Sequence, residues 1–216
     1  MERPKLQIAL DTFDLPSALG PLQQAQPHLD VIEAGTILCL SEGIKAVRII
    51  RSLYPHQTLL ADVRIAEAGS IIAKMAFEAG ANWVSVVSGA TMTTAEVVFK
   101  EAQKHGGDVQ IELIDGWRRD QLRQWRDIGI RQVITHRSRD AEAQGALTWS
   151  ERDFDEIREL AEMGFKVTVT GGVNAQDIPL FAGVPVYIFI AGRAIYRAAD
   201  PAAAARRFQD VIKQTF

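Results

Sequence analysis

The sequence predicts an α/β protein, a (β/α)8 TIM barrel, on three observations. Short β-rich apolar runs alternate with amphipathic helical stretches along the chain. Eight such units fill 216 residues, and glycine turns follow the last two runs. A parallel strand pair needs a helical crossover, and eight crossovers of one hand close a barrel. An open doubly wound sheet is the alternative. The count of eight and the phosphate-type turns after runs seven and eight favour the barrel.

The expected strands are Leu6–Leu10, Val31–Ala34, Thr58–Ala61, Trp83–Val87, Val109–Leu113, Gln132–Thr135, Lys166–Val169 and Tyr187–Ala191. They read as mostly continuous apolar runs, the pattern of parallel strands buried on both faces. The expected helices are Pro16–Gln26, Gly43–Leu53, Ala66–Ala79, Thr93–His105, Arg118–Ile128, Glu151–Met163, Ala175–Phe181 and Pro201–Gln214. Gly80, Gly106, Gly129, Gly164 and Gly183 follow helices near C-cap positions. Asp200-Pro201 reads as a cap followed by proline at the first helical position.

A single barrel over residues 1–216 leaves little room for a second domain. The balance of 27 acidic against 24 basic residues gives a net charge of −3, with no basic excess for nucleic acid. No apolar run approaches the ~20 residues of a membrane span. Met1-Glu2-Arg3-Pro4-Lys5 shows no signal-peptide core, and the one cysteine, Cys39, cannot form an internal disulfide. A cytoplasmic protein is expected.

Barrel active sites lie at the C-terminal strand ends. The residues there are Asp11, Glu33, Asp62, Glu112, His136, Thr170 and the pair Gly192-Arg193. Asp11 and Asp62 also read as helix caps. Glu33 and Glu112 sit inside apolar runs, where an unpaired carboxylate is expensive. Clustered carboxylates raise one another's pKa unless a cation joins them. Two or three inward carboxylates suit Mg2+, and the lack of a Cys/His cluster argues against zinc. His136 opens the long polar segment Arg137-Ser138-Arg139-Asp140, which reads as a binding loop or as a salt-bridged surface loop. His28, His56 and His105 read as solvated residues, and Cys39 as a small core residue. Trp83 and Trp125 read as packing residues, while Trp117 and Trp149 have positions open to lining the mouth. Thr170-Gly171-Gly172 and Ala191-Gly192-Arg193 read as a phosphate site, with glycine admitting the anion to the backbone and Arg193 adding a fixed charge.

Six segments together resemble a known family: Ile8-Ala9-Leu10-Asp11, Ile32-Glu33-Ala34-Gly35-Thr36, Gly107 to Leu113, His136 to Ala141, Thr170-Gly171-Gly172 and Phe189 to Arg193. The family is 3-keto-L-gulonate 6-phosphate decarboxylase, in the orotidine 5′-monophosphate decarboxylase suprafamily beside 3-hexulose-6-phosphate synthase. The likeness is collinear from about residue 5 to 213. It implies loss of CO2 from a β-keto sugar-acid phosphate to an enediolate, which is protonated to L-xylulose 5-phosphate. It implies Mg2+ held by Glu33 and Asp62, and proton delivery supported by His136 and Arg139. Asp11, Glu112 and Thr170 fall at substrate-binding positions, and Gly172, Gly192 and Arg193 at phosphate-binding ones. The sister synthase tends to differ at the positions of Glu112, Arg139, Thr170 and Arg193, where this chain has the decarboxylase residue.

The suprafamily signature Asp-x-Lys-x-x-Asp reads here Asp62-Val63-Arg64-Ile65-Ala66-Glu67. Both the lysine and the second aspartate are replaced by longer residues of the same charge. Arg64 takes the lysine's place as stabiliser of the anionic intermediate. In the family the second acid reaches the neighbouring subunit's site, so a homodimer with shared sites is implied, with Arg64 pairing to Asp62 and to the partner's Glu67. An aldolase-type lyase on another phosphorylated ketose and a non-catalytic sugar-phosphate-binding homologue are the competing readings.

Overall fold

The computed structural model describes residues 2–114, 117–137 and 149–216. Eight parallel strands close a barrel in sequence order, with β8 hydrogen-bonded back to β1. The strands are β1 (Lys5–Leu10), β2 (Val31–Ala34), β3 (Thr58–Ile65), β4 (Trp83–Val87), β5 (Asp108–Leu113), β6 (Gln132–His136), β7 (Lys166–Thr170) and β8 (Val186–Ala191). Around them, among the described residues, lie α1 (Leu15–Ala25), α2 (Thr36–Glu42), α3 (Lys45–Leu53), α4 (Gly69–Glu78), α5 (Met92–Lys104), α6 (Arg119–Ile128), α7 (Glu151–Glu162), α8 (Arg193–Tyr196) and α9 (Pro201–Thr215). Helix starts follow local chemistry. Asp14 accepts the Ser17 N–H at 2.7 Å to open α1, and Asp200 accepts the Ala203 N–H at 2.9 Å to open α9. No helix among the described residues is long and apolar enough to cross a membrane.

The strands differ from the expected continuous apolar runs in an instructive way. Their outward residues, such as Leu6, Ile8 and Leu10 of β1 or Val109, Ile111 and Leu113 of β5, join the helices in the main apolar core. Their inward residues mix polar side chains with a smaller apolar cluster of Ala9, Val31, Ile134, Ile188 and Ile190. The strand pairings, advanced by one residue per strand as the tilt of an eight-stranded barrel requires, sort these into layers of four from alternate strands. Val31, Trp83, Gln132 and Ile188 lie lowest. Gln7, Leu60, Gln110 and Thr168 come next, then Glu33, Ser85, Ile134 and Ile190. Ala9, Asp62, Glu112 and Thr170 form the layer nearest the mouth. The buried amides are used. Gln7 donates to Glu33 at 2.7 Å, Gln110 to Gln132 at 2.9 Å, and Gln132 to Asp108 at 2.6 Å.

Four other boundaries depart from expectation. β3 runs on to Ile65, so Asp62 and Arg64 stand in the strand rather than beyond it. The expected helix Ala66–Ala79 therefore begins only at Gly69. The turn Thr36–Glu42 is helical although its polar and apolar residues lack a clear stripe. The expected helix Ala175–Phe181 is a single 3-10 turn, Ile178–Phe181. Asp177 closes the segment locally by accepting the Asn174 N–H at 2.8 Å, and Pro179 has no N–H to extend an α-helical ladder.

The N-terminal face of the barrel is held by Arg51 of α3. Its guanidinium donates to the carbonyls of Gly80 (2.7 Å), Tyr54 (3.0 Å), Pro55 (2.9 Å) and Gln57 (2.9 Å), and to Asn82 Oδ1 (2.5 Å). A lysine has neither the planar fork nor enough donors for this set. Arg51→Lys is expected to destabilise the fold by about 2 kcal/mol in urea unfolding, with catalysis in the folded protein unchanged. A loss below about 0.5 kcal/mol would show that the carbonyls are equally well served by water.

Candidate active site

A cavity of about 700 Å³ opens at the C-terminal ends of the strands. Asp11, Glu33, Asp62, Arg64, Glu112 and His136 line one side of it. Thr170, Gly172, Gly192 and Arg193 line the other. The fold thus brings together the expected site residues except two. Arg139 lies outside the described residues. Glu67 is exposed in the turn before α4 and makes no ion pair with another described residue.

The metal-type pair comes from adjacent strands. Glu33 and Asp62 are each 6% exposed, one layer apart in the barrel. Asp62 is held by two hydroxyls, Thr36 donating to Oδ2 at 2.5 Å and Ser85 to Oδ1 at 2.6 Å. Burial pushes the Glu33 carboxyl well above the ordinary carboxylate range. The charges of Asp62 and Asp11 push it further, against the Gln7 hydrogen bond. Asp11 sits just past β1, where its carboxylate accepts the Ile37 N–H at 3.4 Å. Gly35 makes that approach possible, since a Cβ there would collide with Asp11 Oδ1 and lie 2.8 Å from the Leu10 carbonyl.

Arg64 supplies positive charge to this group. Its Nη2 lies 2.8 Å from Glu112 Oε1, and its Nε lies 3.5 Å from Asp62 Oδ2. Burial alone would lower the guanidinium's pKa, but the charges of Asp62, Glu112 and Glu33 more than offset it and raise it. His136 Nδ1 pairs with that same Glu112 Oε1. One buried carboxylate oxygen therefore orients both an arginine and an imidazole. Removing Glu112 takes away the acceptor that the guanidinium and the imidazole share, and removing Arg64 leaves a 4% exposed carboxylate side chain short of its counter-charge.

The opposite rim is a backbone structure. Gly171 (φ 101°) and Gly172 (φ 69°) take left-handed conformations that favour glycine. A Cβ on Gly171 would fall 2.6 Å from both Cβ and carbonyl oxygen of Arg137. Arg137 in turn grips the turn, donating from Nε (3.1 Å) and Nη2 (2.7 Å) to the Gly171 carbonyl while its guanidinium lies 3.6 Å over the Trp149 ring. Arg193 follows Gly192 at the exposed rim and opens α8.

Several residues escaped the sequence reading. Ser85 and Gln7 are inward residues at period-two positions, a signal hidden because the outward residues make each run look apolar. Thr36 carried no signal beyond following Gly35. Asn174, which donates to the Gly172 carbonyl at 2.9 Å, and Tyr196 also line the cavity. Trp117 and Trp149 are not among its walls. His105 is not simply solvated, because it stacks on Phe77 with ring centroids 5.4 Å apart and approaches Glu101 at 3.3 Å.

A closed parallel barrel with its carboxylates, arginine and histidine gathered at the strand ends places the molecule in a definite class. The chain belongs to the orotidine 5′-phosphate decarboxylase / HUMPS family, whose profile matches residues 4–208. The 3-keto-L-gulonate-6-phosphate decarboxylase UlaD of Escherichia coli is 50% identical over 214 residues, 99% of each chain. KGPDC from Streptococcus mutans, solved as a complex, superposes with a TM-score of 0.97 at 42% identity over 100% of both chains. The 3-hexulose-6-phosphate synthase of Salmonella typhimurium has a TM-score of 0.90 at 29% identity, covering 98% of this chain and 100% of its own.

The acidic cluster has a measurable effect on its neighbour. Burial, then the charges of Asp62, Glu33 and Asp11, push the Cys39 thiol up to about 12. A raised acid favours the native state below its unfolded value and loses that contribution as pH climbs towards about 12. At pH 8 the thiolate fraction is then about a thousandfold below that of an unfolded cysteine at 9.0. Iodoacetamide is expected to label Cys39 quickly in denaturant and very slowly in the native protein. Equal rates would contradict the burial of the thiol.

Proposed function

We propose that the protein decarboxylates 3-keto-L-gulonate 6-phosphate to L-xylulose 5-phosphate and CO2. The observation that carries the reading is the shared Glu112 oxygen, which aims Arg64 and His136 into a mouth lined by Glu33 and Asp62. The full-length identity to named decarboxylases of that substrate supports it.

The residues fit a divalent cation. Glu33 and Asp62 are hard oxygen donors, and burial together with Asp62 and Asp11 makes the charged form of Glu33 unfavourable without a further cation. Among the described residues no three or more His, Cys, Asp or Glu side chains form a cage by themselves. A carboxylate pair completed by water and substrate oxygens is the habit of Mg2+. When bound, Mg2+ supplies Lewis-acid charge for the substrate's vicinal oxygens.

The rest is done by the chain. Gly172, Gly192 and Arg193 take the phosphate, and Asp11, Glu112 and Thr170 orient the polyol. As the carbon–carbon bond to the carboxylate breaks, its electron pair passes towards the keto oxygen and leaves an enediolate. Arg64 stabilises that charge from beside the buried carboxylates at the mouth. Glu112 holds His136 by Nδ1, which leaves Nε2 as the ring position that delivers a proton to the carbon. Arg139 supports that delivery. The protein acts as a homodimer in which Glu67 reaches the partner's site. Ile71 (65% exposed) and Met75 (50% exposed) stand one turn apart on α4 beside it, an apolar face suited to a second copy.

Removal of metal with EDTA, or the change Asp62→Ala, is expected to abolish turnover while leaving the fold intact. Full activity after chelation would refute the metal requirement. Arg193→Ala is expected to raise KM about tenfold or more with kcat little changed, because the phosphate contact is alike in ground and transition states. A fall in kcat at constant KM would remove Arg193 from the phosphate site. Guanidinium spreads its charge where ammonium is compact, and donors displaced by about 1 Å cost up to roughly a hundredfold in rate. The double change Arg64→Lys with Glu67→Asp is therefore expected to raise kcat on this substrate, tested singly and together. No gain would point to another natural substrate, with the aldolase reaction tried first.

A further inference from the structure

We infer that Ser85 is a positioning residue: one buried hydroxyl locks Arg64 in a left-handed backbone conformation, and that conformation aims the guanidinium at Glu112. Arg64 has φ 44°, and the only other non-glycine residue with positive φ among those described is Ala68. Such a conformation is unfavourable for an L-residue with a long side chain and persists where the surroundings hold it.

The support comes from β4. Pairing between β3 and β4 runs regularly to Ala61 with Val84 and resumes at Ile65 with Val86. Asp62, Val63 and Arg64 thus stand against Ser85 alone, and the ladder is interrupted there. The Arg64 N–H donates instead to Ser85 Oγ at 2.9 Å. Ser85 is 0% exposed. A hydroxyl has one proton and two lone pairs. Ser85 gives the proton to Asp62 Oδ1 at 2.6 Å, so what it offers Arg64 is an acceptor.

The two contacts are not equally replaceable. Without Ser85, Asp62 keeps the Thr36 hydroxyl at 2.5 Å. Among the described residues no other side chain accepts from the Arg64 N–H. The side chain is held at its far end by the Nη2 contact to Glu112 at 2.8 Å, with Nε buried in a looser ion pair to Asp62 at 3.5 Å, and neither contact fixes the backbone. Loss of the hydroxyl therefore falls on Arg64, and through it on the transition state rather than on substrate or metal binding.

The test is a mutant cycle on the full-length protein, with Mg2+ affinity measured by calorimetry beside kinetics and crystal structures. Ser85→Ala is expected to lower kcat about tenfold with KM within about twofold. In an Arg64→Ala background the same change is expected to alter single-turnover rates by less than about twofold. Ser85→Thr, which keeps the hydroxyl, is expected to stay within about threefold of the parent. Mg2+ affinity is expected to hold within about threefold in Ser85→Ala, and Arg64 to leave the left-handed region in its crystal structure. An undiminished loss in the Arg64→Ala background, or a matching loss of Mg2+ affinity, would overturn the inference by showing that Ser85 acts through Asp62. If Ser85→Ala does not fold, Ser85→Cys enters the same cycle with the same criteria. The rate readout rests on the decarboxylase reading. Should the parent fail to turn over 3-keto-L-gulonate 6-phosphate, that reading fails, and Ser85 is judged on the Arg64 conformation and Mg2+ affinity alone.

Discussion

The mouth of this barrel depends on how buried negative charge is balanced. Glu33, Asp62 and Glu112 are each at most 6% exposed. Carboxylates so enclosed are tolerable only with a cation or a dense set of donors. Among the described residues, Arg64 places its guanidinium between Asp62 and Glu112. Thr36 and Ser85 add neutral donors to Asp62, and Gln7 adds one to Glu33. These do not bring Glu33 into the ordinary range, because burial and the neighbouring acids outweigh the single amide. A site left short of positive charge favours the approach of a cation, and this shortage is what makes the mouth a candidate cation site.

The barrel separates folding from chemistry by strand face. Outward residues of every strand meet helices across a continuous apolar core. Inward residues are released from that duty and carry amides, hydroxyls and carboxylates in successive layers. The separation also runs along the axis. Arg51 ties loops at the N-terminal face through carbonyl contacts, while the carboxylates gather at the opposite end. Substitutions at one end therefore act on stability and at the other on binding and rate.

The rim opposite the acids is built on glycine backbone, with Arg193 as its charged side chain. Gly171 and Gly172 can turn as they do because they lack a Cβ, and Arg137 clamps the first of them from the end of β6. In the sequence Arg137 belongs to a segment that reads as a binding loop or as a salt-bridged surface loop. Its role as a brace between β6, the β7 turn and Trp149 follows from contacts some 12 to 34 residues away in sequence.

The alternation of apolar runs and helical stretches, the count of eight and the strand-end acids were legible in the sequence, because each rests on local periodicity and on the rule that parallel strands need crossovers. The six family-like segments carried the candidate site with them. What periodicity did not reveal was the polar interior, since outward aliphatics mask inward Gln7, Ser85 and Gln110 within each run. Nor did it reveal that β3 continues through Asp62 and Arg64, because a strand's end is set by its pairing with neighbours. The contact of Arg64 with Glu112, the meeting of arginine and histidine on one oxygen, and the left-handed turn held by Ser85 belong to the closed barrel alone. They join residues 21 to 48 positions apart, and only strand register decides which of them face one another.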